Sequence, residues 1–309
     1  MSVLVTGGCG FIGSHIVDEL AKKNCDVVIL DNLSAGTKEN IGKYDFPVYV
    51  KDIRDPHIED IFHNHSIRTI IHQAAQASVP YSILYPYEDG AINIGGTIQL
   101  IEFAKKYKVE KIIFASSSAV YGSPLFLPIT PDHAANPLSS YGLSKLTAEK
   151  YLQLASVLYD IPFTILRYGN VYGPRQNAAG EGGVIAIFAQ ALVQGTAPII
   201  YGDGEQTRDF IYVGDVARAN LQAIENGTGE VLNVSTSKES SLKEVLKQMQ
   251  AIQSISLKPV FTAERQGDIK RSLLCNEKTK AILRWAPQTS LEEGLAKTLE
   301  FYESQKLGR

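Results

Sequence analysis

Short, wholly apolar runs alternate along this chain with longer stretches whose apolar residues recur at helical spacing. Residues 3–6 are such a run, closed by glycines, and a three- and four-residue apolar period follows from Phe11 to about Lys23. Residues 26–31 make a second run, apolar between its terminal aspartates, as expected of a parallel strand covered on both faces. Similar runs at 47–50, 69–72, 111–115 and 162–167 predict further strands, with helical segments between most of them. This alternation argues for a doubly wound parallel sheet. Right-handed crossovers then bring the carboxyl ends of the strands to one edge, where ligands bind.

The rhythm changes after Tyr168. Glycine and proline become frequent at Gly173-Pro174-Arg175 and around Gly202-Asp203-Gly204. Later segments predict strands at 210–213, 230–234 and 272–275, and helices at 215–225, 241–253, 277–283 and 291–302. The expected fold class is α/β: a Rossmann-like doubly wound parallel sheet with a smaller, partly discontinuous α/β substrate-binding domain. The first unit is assigned to residues 1–169, with 210–235 returning to it, and the second to 170–209 and 236–309.

Composition mainly excludes. The 309 residues are 44% hydrophobic and 20% charged, with a net charge of −3, which gives no support to nucleic-acid binding. No apolar run reaches the length of a membrane span. Cys9, Cys25 and Cys275 are far apart and lack metal-ligand spacing, so a reducing compartment without disulfides is expected. The chain enters a strand with no charged leader or cleavage pattern, and a cytoplasmic location follows as the default. His63 and His65 stand at i and i+2 and do not converge on a helix, so no metal site is assigned. His72 is read as structural, and Cys9 as a small tolerated residue rather than a nucleophile.

Gly7, Gly10 and Gly13 have the spacing GxxGxxG at the first strand-to-helix turn, with Phe11 and Ile12 between the last two. Glycines there allow a tight turn and close approach of a pyrophosphate, which the helix N-terminus favours. Asp31 ends the second strand about 20 positions on, where a carboxylate binds a ribose diol and repels a 2′-phosphate. NAD is therefore expected over NADP. Asn32, Ser34 and Gly36 follow in a loop suited to the adenosine ribose. The alternatives are a ligand-free glycine turn and a turn aspartate.

Tyr141-Gly142-Leu143-Ser144-Lys145 sets a phenol and an ammonium four residues apart on one helix face. A free tyrosine, with a pKa of about 10, is a poor base at neutral pH, and a nearby cation stabilises its phenolate.

Together these residues resemble the nucleotide-sugar 4-epimerases of the extended short-chain dehydrogenase/reductase superfamily, the group typified by UDP-glucose 4-epimerase. The resemblance spans essentially the whole chain. It includes Asp52-Ile53, Gln73-Ala74-Ala75-Gln76, Asn93 ahead of Gly95-Gly96-Thr97, and the run from Ser116 and Ser117 to Tyr121-Gly122. It implies that Asp52 and Ile53 flank the adenine and that Gln73, Ala74, Ala75, Gln76, Asn93, Ser116 and Tyr168 belong to the NAD site. Ser117 is implied as the catalytic hydroxyl beside Tyr141 and Lys145. The sugar nucleotide is assigned to Ser78, Val79, Asn170, Gly183, Val184, Tyr201, Gln206, Arg208, Arg265 and Asp268, with Ser117 and Tyr141 shared. The arginines would clamp the diphosphate.

The implied activity is NAD-dependent inversion at C4 of a UDP-hexose through a transient 4-keto intermediate, as in galactose metabolism. Ser272 falls where relatives restricted to glucose and galactose carry a tyrosine, so UDP-GlcNAc and UDP-GalNAc are expected to fit as well. A 4,6-dehydratase would need an Asp-Glu pair where Ser118 and Ala119 stand, and a UDP-glucuronate decarboxylase or epimerase a carboxylate clamp. A nucleotide-binding regulatory protein usually loses the tyrosine or lysine. The resemblance also implies a homodimer joined by a four-helix bundle built from the helices near 95–107 and 141–159.

Overall fold

The computed structural model describes residues 2–178, 183–264 and 269–307. Six strands appear in chain order before residue 170: β1 (Ser2–Thr6), β2 (Asp26–Asp31), β3 (Val48–Val50), β4 (Thr69–His72), β5 (Lys111–Ser117) and β6 (Phe163–Tyr168). Helices α1 (Phe11–Lys22), α2 (Glu59–Asn64), α3 (Val79–Leu84), α4 (Pro86–Gly90), α5 (Gly96–Lys106) and α6 (Ser140–Tyr159) lie between them. Strands β7 (Asn170–Tyr172), β8 (Ile199–Tyr201), β9 (Thr207–Arg208) and β10 (Phe210–Tyr212) follow, with α7 (Val184–Gln194) ahead of β8 and α8 (Val213–Glu225) after β10. Strand β11 (Glu230–Val234) then pairs in parallel with β6. The chain finishes with β12 (Ser240–Ser241), α9 (Leu242–Ile252), β13 (Val260–Thr262), α10 (Glu277–Leu283) and α11 (Leu291–Leu307).

The main sheet runs β11-β6-β5-β4-β1-β2-β3, parallel throughout. From β1 the chain winds outward through β2 and β3, and from β4 it winds the other way. The order therefore reverses between β1 and β4, which opens a crevice at their carboxyl ends, beside Thr6 and His72.

Each sheet face is sealed by its own layer. On one side Ile16, Val17 and Leu20 of α1 meet Val216, Ala219 and Ala223 of α8, with Trp285 beneath them. On the other, α2, α5 and α6 bury Ile61, Leu100, Ala104 and Leu152. Each large aliphatic side chain so buried contributes roughly 1.5–3 kcal/mol. A third cluster joins Phe188 of α7, Met249 of α9 and Leu295 of α11, outside the main sheet.

Two expectations need correction. Residues 272–275 form no strand; the neighbourhood makes only isolated bridges, Arg271 to Thr207 and Leu274 to Ile129, because the segment changes partner within three residues and no ladder can extend. Val213, expected to end a strand, instead begins α8.

Candidate active site

The glycine turn lies at the sheet's reversal point. Gly7 has φ +68°, and a Cβ there would stand 2.8 Å from the amide nitrogen of Ala74. A Cβ on Gly13 would come within 2.0 Å of the Gly7 carbonyl, so this glycine lets α1 close onto the turn. Gly10 caps α1 without a side-chain hydrogen bond, which leaves the first-turn N–H groups of Phe11, Ile12 and Gly13 for an anion. Asp31 is oriented by two backbone amides, Cys9 N to Oδ2 at 2.9 Å and Leu33 N to Oδ1 at 2.8 Å. The following loop folds onto the same turn: Asn32 Oδ1 accepts from Ser34 N, and a Cβ on Gly36 would meet the Cys9 carbonyl at 2.3 Å. An uncapped helix end, a close-packed glycine turn and a fixed carboxylate form a cradle that fits a dinucleotide. Asp52 takes a bidentate grip from Arg54 and a 3.2 Å bond from Asn32, and Ile53 is buried against Gly96.

Beyond β4 the site becomes a polar network. Gln73 Nε2 donates to the Tyr168 hydroxyl at 3.0 Å and to Asn220 Oδ1 at 3.2 Å. Ala74 N donates to Thr6 Oγ1, and Gln76, just past Ala75, donates its backbone amide to Asn93 Oδ1. Asn93 lies in a π-helical turn, Ala91–Gly95, of the kind that often marks a functional wall. Ser116 is buried, and its hydroxyl donates to Glu149 of α6.

Strand β5 runs two residues further than the sequence predicts, through Ser117, because its ladder with β6 continues to Tyr168. Ser117 therefore sits at the carboxyl edge, where its hydroxyl accepts from Ala119 N at 3.1 Å and acts on the buried Tyr141 phenol. Ser139 caps α6 by accepting from Gly142 N at 3.1 Å, which sets Tyr141 in the first turn and Lys145 one turn on. Lys145 is 3% exposed, and its ammonium donates to the Ala115 carbonyl at 3.0 Å over the Phe114 ring.

The electrostatics differ from the expectation that Lys145 depresses the phenol. Burial holds Tyr141 above the usual tyrosine value; the Ser117 hydroxyl opposes this, and the charge of Asp89 adds to it. Burial also pulls Lys145 down to about 8, against the opposing fields of Asp89 and Glu149. Tyr168, bonded to Gln73 and Asn220, is raised by burial, with Tyr141 a further contributor. The pair is thus brought together, but in an enclosed setting that favours the neutral phenol.

The sugar-side residues are spread over the later elements. Ser78 caps α3 by accepting from Tyr81 N, with the half-exposed Val79 next to it. Asn170 opens β7, and Gly183 with Val184 begins α7, again without a side-chain cap. Tyr201 lines a cavity of about 110 Å³ with Gly202, Asp203, Gln206, Glu264 and Lys270. Gln206 Nε2 donates to the Tyr201 carbonyl while its buried Oε1 has no partner among the described residues. Arg208 Nη1 donates to the Thr207 carbonyl. Arg265 and Asp268 lie outside the described residues. A larger groove of about 500 Å³ on the outer side of α9 shares no residue with this region.

Of the declined candidates, Cys9 is pushed up to about 11, mainly by burial, and His65 is tied to the Tyr49 hydroxyl. Asp89, Asn220, Ser82 and Ser144 were missed. Asp89, Ser82 and Ser144 carry only the signal of a polar residue one helical turn from a singled-out one, as Asp89 is from Asn93, and Asn220 carries none.

The family model for the NAD dependent epimerase/dehydratase family matches residues 3–235. A putative UDP-glucose 4-epimerase of Methanocaldococcus jannaschii is 45% identical, with 98% of each chain covered. A solved UDP-glucose 4-epimerase of Thermotoga maritima, crystallised with UDP-glucose, superposes with a TM-score of 0.97 at 41% identity, covering 99% of this chain and 100% of its own. A UDP-N-acetylglucosamine 4-epimerase of Methanobrevibacter ruminantium, in complex with UDP-N-acetylmuramic acid, gives 0.94 at 36%, covering 98% of both. A glycine cradle at the reversal of a parallel sheet, a Ser-Tyr-Lys cluster at its edge and these likenesses lead to one conclusion: the chain belongs to the NAD dependent epimerase/dehydratase family and is an epimerase that uses NAD.

Proposed function

We propose that the enzyme inverts C4 of a UDP-hexose, interconverting UDP-glucose with UDP-galactose and also UDP-GlcNAc with UDP-GalNAc. One observation carries this reading: Ser117 at the end of β5 and Tyr141 in the first turn of α6 come together at the sheet's carboxyl edge, with Lys145 buried one helical turn on. Gly7, Gly10, Gly13 and Asp31 hold the dinucleotide. NAD, when bound, supplies the hydride acceptor and donor and brings a cationic ring to the tyrosine. Tyr141 removes the proton of the C4 hydroxyl and later returns one to the same oxygen, as a general base and then a general acid. Burial otherwise keeps the phenol neutral, and the Lys145 ammonium, one helical turn on, would stabilise its phenolate. Ser117 hydrogen-bonds the same sugar oxygen. Asn170, Val184, Tyr201, Gln206 and Arg208 anchor the nucleotide end, with Arg265 and Asp268, while the 4-keto hexose turns over.

Ser118 and Ala119 begin a 3₁₀ turn after β5 and carry no carboxylate, which favours inversion over elimination. We further propose a homodimer in which α5 and α6 pair with their counterparts, since α6 leaves Leu143, Tyr151, Leu154, Val157 and Leu158 exposed. Three free cysteines support a reducing, cytoplasmic setting, and a place in galactose metabolism follows from the proposed substrates. Proton NMR of the purified protein with UDP-glucose, UDP-GlcNAc and UDP-glucuronate in turn, without added NAD, tests the reading. C4 epimers of the first two are expected; an eliminated or decarboxylated product contradicts it.

A further inference from the structure

Asp89, in α4, is 1% exposed, yet among the described residues no cation pairs with it directly. Its Oδ1 accepts from the side-chain amides of Gln76 at 2.7 Å and Asn93 at 3.2 Å. Its Oδ2 is buried and accepts from no described group. Lys145 is the complementary case: a buried ammonium whose hydrogen bond goes to a neutral carbonyl, that of Ala115. Glu149 also acts on Lys145, but Arg167 grips it at 2.9 and 2.6 Å, which largely cancels its field. A buried charge persists only where something compensates it. Asp89 and Lys145 are opposite and enclosed, neither is paired directly with a counter-charge among the described residues, and the Asp89 charge acts on Lys145.

The carboxylate is also wired to the catalytic turn. Asn93 Nδ2 donates to Ser144 Oγ at 3.0 Å, and Ser144 Oγ donates to the Tyr141 carbonyl at 3.0 Å. We propose that Asp89 is a positioning residue of this active site: a sealed anion that keeps the Lys145 ammonium charged and, through Asn93 and Ser144, fixes the first turn of α6. The proposal rests on the assignment of Tyr141 and Lys145 as the catalytic pair. The other groups acting on Lys145 and Tyr141 are Glu149, held by Arg167, the Ser117 hydroxyl, and the His72 and Tyr168 rings, both held neutral. Asp89 is thus the one anion among them without a cationic partner.

Asp89→Asn removes the charge and keeps an acceptor for Gln76. Loss of the anion lowers the proton affinity of both Lys145 and Tyr141, so both limbs of the kcat/KM pH profile should move about one unit toward acid. A purely structural role would lower activity and leave the limbs in place, and that result overturns the proposal. Phenolate absorbance titration, with Tyr141→Phe as blank in each background, reads the same effect without turnover. The Tyr141 phenol should ionise at lower pH in Asp89→Asn, and an unmoved titration also overturns the proposal. A moved titration in a protein that inverts no sugar nucleotide upholds the Asp89 link and sinks the catalytic assignment instead.

Thermal unfolding covers the case in which Asp89→Asn folds poorly. Lys145→Met strands the carboxylate, so adding Asp89→Asn to it should raise the unfolding temperature above that of Lys145→Met alone. Additive losses contradict the pairing.

Discussion

The backbone amide of Tyr141 donates to the hydroxyl of Ser82, 3.0 Å away in space and 59 positions earlier in the chain. Tyr141 lies in the first turn of α6, where an N–H has no partner within the helix. Ser82, itself bonded to the Val79 carbonyl at 2.6 Å, supplies that partner from α3. A hydroxyl beside the proposed sugar site thus helps to set the height of the proposed catalytic phenol. Ser82→Ala should cost about 1 kcal/mol of stability and several-fold in kcat, with little change in NAD content. Denaturant unfolding and steady-state kinetics check both parts; unchanged kcat would detach Ser82 from the catalytic turn.

Ser272 is buried, and its amide donates to the Thr207 carbonyl at 3.2 Å. Thr207 and Arg208 form β9, so Ser272 lies next to the strand that carries a proposed diphosphate ligand. Ser272→Tyr should suppress turnover of UDP-GlcNAc and UDP-GalNAc selectively, leaving glucose and galactose nucleotides as substrates. Equal loss of both pairs would remove the argument from side-chain size.

Much of the fold could be read from the chain because its sheet is covered on both faces. The runs at Asp26–Asp31, Thr69–His72 and Glu230–Val234 are apolar enough to mark strands to the residue. Helix α7 escaped notice because its sequence, VIAIFAQALVQ, is apolar nearly all round and shows no polar stripe. The short helices α3 and α4 and the π turn after them were hidden by Pro80, Pro86, Gly90 and Gly95, which read as loop. That stretch is also where Ser82 and Asp89 sit. The Tyr-Lys spacing was legible, because one helical turn fixes it. The fields acting on the pair were not, since the Asp89 charge and the Ser117 hydroxyl come from residues far along the chain, and Glu149, one turn beyond Lys145, is held by the distant Arg167.

His72 couples the sheet to this region and predicts an acid sensitivity. Its Nε2 lies 3.1 Å from Thr97 Oγ1, whose own proton goes to the Asn93 carbonyl, so Nε2 is the donor. Nδ1 then accepts from Thr6 Oγ1 at 2.8 Å. Burial lowers His72 from 6.5 to about 3, and His15 to about 4. The unfolded chain therefore takes up protons first, and stability falls as pH drops below 6.5. Each histidine contributes up to about 1.4 kcal/mol per pH unit across that window. Denaturant unfolding at a series of pH values should show a shallower acid decline in His72→Gln than in the native chain; equal slopes contradict the assignment.

The exposed apolar face of α6 predicts the state of assembly. Leu154 and Leu158 lie one turn apart on it. Replacing both with glutamate should convert a dimer into a monomer in light scattering, because a buried pair of carboxylates has no partner there. An unchanged mass would move the interface elsewhere.

Tyr141→Phe tests the central claim most directly, measured on the sugar nucleotide that the native enzyme inverts, alongside the NAD content of the purified protein. The variant should retain NAD and lose essentially all epimerisation. A variant that keeps more than a few per cent of native turnover would show that another group moves the C4 hydroxyl proton.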